Sequence, residues 1–93
     1  MLPEDRLRQI TERFEFLEAQ LGAGAAPDDI AGIAKEYAEL KPVVARIAVW
    51  RGLKAELAEA EALAEDPEMQ DLAREEVTRL SAAIPEAEHA LQL

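Results

Sequence analysis

The stretch Ile30–Ala64, IAGIAKEYAELKPVVARIAVWRGLKAELAEAEALA, decides the fold. Its apolar positions run Ile33, Tyr37, Leu40, Val44 and Ile47, then continue as Trp50, Leu53, Leu57, Ala60 and Ala64. Steps of three and four keep such side chains on one side of a helix. Around Ile47 the spacing changes to three and three, from Val44 to Ile47 and from Ile47 to Trp50. At about 100° per residue the second set centres roughly 120–150° away from the first, so the stripe moves to another side of the same helix. Two different neighbours are expected to cover it. Pro42 lies inside this run and removes the bond to Ala38, at about 3 kcal/mol or a kink, and Gly52 adds a second weak point.

The neighbours stand on either side in the chain. Upstream, Leu7, Ile10, Phe14, Leu17 and Leu21 form one helical stripe. It ends at Gly22-Ala23-Gly24-Ala25-Ala26-Pro27, where two glycines and a proline disfavour helix. Asp28 and Asp29 offer negative charge to the next N-terminus. Downstream, Asp66-Pro67-Glu68 reads as a restart signal, and Met69, Ala73, Val77, Leu80, Ile84, Ala87 and Leu91 carry a third stripe, with Pro85 as a second interruption. Helices are expected over about 3–21, 28–65 and 67–91 in one domain spanning residues 1–93. Short connections favour antiparallel neighbours. The expected fold is therefore all-α: an elongated, antiparallel, three-helix, coiled-coil-like bundle with a long central helix. Val43, Val44, Ile47 and Trp50 are expected at its core centre.

Composition agrees with close helix packing. Of 93 residues 19 are Ala and only 4% are aromatic, so large core fillers are few. A chain this short buries only about 60–65% of its extended surface, which leaves little room for a deep substrate pocket. The formal charge of −10 disfavours nucleic acid and anionic lipid except through a local patch. No sequence-specific nucleic-acid contact and no membrane contact are expected, and the chain reads as soluble and cytoplasmic. The absence of Cys removes thiolate chemistry and Cys zinc sites, and one His leaves little for a triad. Glu86-Ala87-Glu88-His89 holds a Glu-x-x-His spacing, but a di-metal bundle needs two such motifs, so His89 reads as a surface residue near a helix end. No catalytic residue, metal ligand or cofactor is expected.

Charge is unevenly distributed. Residues 35–54 sum to +3 (Lys35, Lys41, Arg46, Arg51 and Lys54 against Glu36 and Glu39), whereas residues 55–76 sum to −8. A solvated helix surface explains both. The functional alternative is a cationic section, with Arg46, Arg51 and Lys54 as candidate contacts, beside an acidic tip at Glu65, Asp66, Glu68 and Asp71 that meets a basic partner. Phe16 falls off the first stripe, and it either widens the buried face of helix 1 or awaits a partner.

Glu36-Tyr37-Ala38-Glu39-Leu40, a Trp at 50, and Glu65-Asp66-Pro67-Glu68-Met69 before an acidic, Leu-bearing helix occur in this order. Together they resemble the N-terminal domain of bacterial class I peptide chain release factors, and the Glu-Tyr-Ala and Asp-Pro-Glu-Met pieces look more like the branch that reads UAA and UAG. The family's Gly-Gly-Gln and its Pro-x-Thr codon-reading tripeptide are not in this sequence. The resemblance implies an accessory domain that contributes contacts to a translation termination factor and performs no catalysis itself. Its implied partners are the stalk-base region of the large ribosomal subunit, the class II release-factor GTPase and the remaining domains of a parent factor. The reading that stays open beside it is a helical adaptor or coiled-coil dimerisation module unrelated to translation.

Overall fold

The computed structural model describes residues 3–24 and 26–92. Three helices account for almost all of them: α1 (Glu4–Gly22), α2 (Pro27–Leu63) and α3 (Gln70–Ala90), with no strand among the described residues. The chain is an all-α helical bundle, and its central helix runs through 37 residues. Pro42 stands inside α2 and Pro85 inside α3, and helical structure continues through both.

Local chemistry explains the boundaries. The Pro3 carbonyl accepts from Arg6 and Leu7 N–H at 3.0 and 3.1 Å, and Glu4 and Asp5 place negative charge on the amide end of α1. That helix closes where Ala23 N–H donates to the Ala19 carbonyl at 2.9 Å and Gly24 takes φ +78°. A side chain at Gly24 would meet open space but would be strained by that backbone angle. Ala25, which the sequence places in this connection, lies outside the described residues. Pro27 is the first residue of α2, where its missing N–H costs nothing, and Asp28 and Asp29 follow it in the first turn.

The Asp66-Pro67-Glu68 signal builds a turn and not the first turn of α3. Asp66 spends its carboxylate locally, accepting Glu68 N–H at 3.0 Å, while its carbonyl accepts Met69 N–H at 3.0 Å. Helix α3 therefore opens at Gln70, three residues after the Pro67 start read from the sequence, and α2 stops at Leu63 instead of Glu65.

The chain divides into two compact units, residues 1–45 and 46–93, and α2 contributes to both. In the first unit Leu7 and Leu17 are buried, while Ile10, Phe14 and Leu21 are half-buried. The rings of Phe14 and Tyr37 stack with centroids 4.6 Å apart. The Arg13 guanidinium grips both oxygens of Glu36, at 2.7 and 2.8 Å, and Tyr37 Oη donates to Glu18 at 3.1 Å. These contacts hold α1 against the Ile33–Leu40 side of α2. Val43 and Val44 are half-buried at the end of this unit.

In the second unit Ile47, Trp50, Ala60, Ala73, Leu80 and Leu91 are buried, with Ile47 and Leu80 at 1% exposure. Trp50 donates its indole N–H to Glu88 at 3.2 Å, Arg79 reaches Glu56 at 3.7 Å, and Gln70 donates to the Ala64 carbonyl at 3.4 Å. The three pairs run in opposite chain directions, which makes α2 and α3 an antiparallel hairpin here. The stripe from Trp50 onward is the one α3 covers.

Two outcomes check this packing. Ile47→Ala deletes buried methyl groups and should destabilise the chain by about 2–4 kcal/mol in denaturant melts, and a loss below about 1 kcal/mol would contradict its place in the core. The Arg13 guanidinium, chiefly by hydrogen bonding, holds the Glu36 carboxylate below its ordinary 4.5. A lowered native pKa means that the stabilisation is present above 4.5 and disappears as pH falls through the native value. Glu36→Gln should thus lower the melting temperature near neutral pH, and the gap should close on acidification.

Candidate functional site

No candidate contact residue is held in a cavity, and all eight are exposed. Phe16 belongs to the first unit, and the other seven belong to the second.

Phe16 projects from α1 with half of its surface exposed, so it does not widen the buried face of the helix as a core residue would. Its ring lies 5.5 Å from the Arg13 guanidinium, close enough for cation–π attraction. Two shallow, open clefts flank it. Ala19, Gln20, Ala23 and Gly24 line one of them, and the other runs toward Asp28, Asp29 and Gly32 on α2. Arg13 is committed on its other side to Glu36, so its charge is already matched within the unit. The result is an aromatic ring presented on a surface with little net cationic character.

The cationic candidates lie on α2. Arg46 and Arg51 are both exposed, and among the described residues neither takes part in an ion pair. Lys54 differs from them: its ammonium sits 4.3 Å from the centre of the Trp50 ring, over an indole whose N–H is bonded to Glu88. The helical backbone sets this placement, because residues four apart share a face. Lys54 therefore covers a buried aromatic, and the two arginines offer the freer donors. Five residues separate them, about 140° around the helix, so they do not form one clamp.

The acidic candidates follow the α2–α3 turn. Glu65, Asp66 and Glu68 are exposed within it, and Asp71 stands in the first turn of α3. Asp66 is engaged with the Glu68 amide. Beside them the structure presents residues that the stripe pattern did not single out: Leu63 is 47% exposed at the end of α2, and Leu72 is 57% exposed at the start of α3. The signal was available, since Leu72 directly precedes the stripe position Ala73 and so cannot share its line.

His89 is exposed in the last turn of α3, and among the described residues no three His, Cys, Asp or Glu side chains converge as a metal site would require. Among them too, no helix is long and apolar enough to cross a membrane.

Comparison with known proteins gives these surfaces a context. The PCRF domain matches residues 10–93. "Peptide chain release factor 1" of Jannaschia sp. (strain CCS1) is 63% identical over 92 residues, covering 99% of this chain and 26% of that protein. The protein of the same name from Paracoccus denitrificans (strain Pd 1222) is 57% identical over 93 residues, covering 100% and 26% respectively. The Gluconobacter oxydans (strain 621H) protein is 41% identical over 91 residues, covering 97% of this chain and again 26% of the relative. The chain thus spans about a quarter of the length of these relatives. No solved structure matches it. A helical module unrelated to this family is set aside by the extent of the match, and the chain belongs to the PCRF domain family.

Proposed function

We propose that the chain is the amino-terminal accessory domain of a cytoplasmic translation termination factor of the UAA- and UAG-reading branch. It supplies ribosome and partner contacts and takes no part in ester hydrolysis. The observation that carries this reading is the match to release factor 1 relatives over nearly the whole chain. It is supported by the exposed charged residues described above and by the lack of Gly-Gly-Gln and of a codon-reading tripeptide in this sequence. The proposed partners are the stalk-base region of the large ribosomal subunit, the class II release-factor GTPase and the other domains of the parent factor.

In this role Arg46 and Arg51 are the residues that contact an anionic surface, with Lys54 held over Trp50 as a weaker contributor. Exposed charges act mainly on encounter and its ionic-strength dependence. Arg46→Glu with Arg51→Glu in the full-length factor should slow ribosome association and flatten its salt dependence, and leave stop-codon choice and the hydrolysis step unchanged. Stopped-flow association at several salt concentrations reads this out, and unaltered on-rates would remove the two arginines from docking. The chain by itself should release no peptide from programmed ribosomes. Codon-dependent release by the 93 residues alone would overturn the accessory role.

A further inference from the structure

The exposed leucines beside the α2–α3 turn are paired by the register of the hairpin. Glu56 and Arg79 meet across it at 3.7 Å. Leu63 follows Glu56 by seven residues and Leu72 precedes Arg79 by seven. Seven residues return a helix to within about 20° of the same direction, so moving two turns toward the tip on both antiparallel helices keeps the same side. Leu63 and Leu72 therefore stand opposite one another on the face that carries the Glu56–Arg79 bridge. The Gln70 to Ala64 hydrogen bond closes the turn beside them.

The surroundings of this pair are predominantly acidic. Glu59 lies four residues before Leu63 in α2 and Glu75 three after Leu72 in α3, spacings that place both carboxylates along the same edge, and Glu68 is exposed in the connecting turn. The basic residue on that face, Arg79, is held by Glu76 at 2.8 Å and by Glu56. Residues 55–76 carry a net charge of −8.

We infer that the Leu63–Leu72 pair and its carboxylate rim form a docking surface for a basic amphipathic helix of a partner protein. Such a helix would place a Leu, Ile or Met side chain between the two leucines and Lys or Arg against Glu59 and Glu75. Charge complementarity selects this occupant. A second copy would bring two strongly negative tips together, and nucleic acid or an anionic lipid surface carries the same sign as the rim. The leucines then supply apolar burial and the rim supplies steering. The inference stands apart from the role given above to Arg46 and Arg51, since Arg51 lies about 140° around α2 from Glu56.

The test uses the full chain and a labelled 14-residue Leu/Lys peptide that forms an amphipathic helix, with a scrambled peptide of the same composition as control. Leu63→Ser with Leu72→Ser should weaken binding of the amphipathic peptide about tenfold or more in fluorescence anisotropy, with the salt dependence retained. Glu59→Gln with Glu75→Gln should instead reduce the salt dependence. In the unaltered chain the Leu63 and Leu72 methyl resonances should shift on titration, a readout that needs no variant. Equal binding of the scrambled peptide, equal affinity of the leucine double variant, or unmoved methyl resonances would overturn the inference. So would a dimer in sedimentation equilibrium that the leucine substitutions abolish, because the face would then belong to a second copy.

Discussion

Everything in this chain depends on one helix serving two packing units. Helix α2 is 37 residues long, against 19 for α1 and 21 for α3, so neither neighbour alone accounts for its apolar positions. A helix with a constant stripe could satisfy only one partner along one line. In the sequence the short steps around Ile47 turn the stripe; Tyr37 meets Phe14 of α1 in the first unit, and Trp50 meets Glu88 of α3 in the second. That turn costs no interruption of the backbone, because it is written in side-chain spacing and not in a break.

Polar contacts then fix what apolar packing leaves loose. An Ala-rich helix offers few bulky ridges, and close-packed small side chains tolerate sliding better than interdigitated large ones. Arg13 with Glu36 and Tyr37 with Glu18 set the register of α1, and Trp50 with Glu88 and Arg79 with Glu56 set that of α3. Most of these groups lie at the surface, where ion pairs add little to stability but penalise a mismatched alignment. The long-range pairs thus act as register pins, and the small buried set of Leu17, Ile47 and Leu80 supplies the cohesion.

The three stripes were legible because each rests on strong periodicity, and the structure places Leu7, Leu17, Ile47, Trp50, Ala73, Leu80 and Leu91 in the core that they outline. The α3 start was misread because Asp-Pro-Glu chemistry serves a helix cap and a tight turn equally, and only the destination of the Asp66 carboxylate separates them. Phe16 left two readings open, and exposure decided between them. The role of Lys54 was hidden for a different reason. Its charge is visible in sequence, but its seat over Trp50 depends on side-chain direction. The leucine pair required the hairpin register, a tertiary fact that no single-helix pattern contains.

The chain has one Trp and one Tyr, and they fall in different units. Trp50 is 3% exposed, hydrogen-bonded at its indole nitrogen and capped by an ammonium, so its emission belongs to a dry, electrically structured environment. Tyr37 stacks on Phe14 and bonds to Glu18, and its absorbance responds to a separate neighbourhood. Partial burial, aided by the Glu18 carboxylate, lifts its ionisation above 10. Each unit therefore carries a native chromophore of its own. Opening of one end of the long helix can be watched by ultraviolet spectroscopy apart from the other, with no label and no added cysteine.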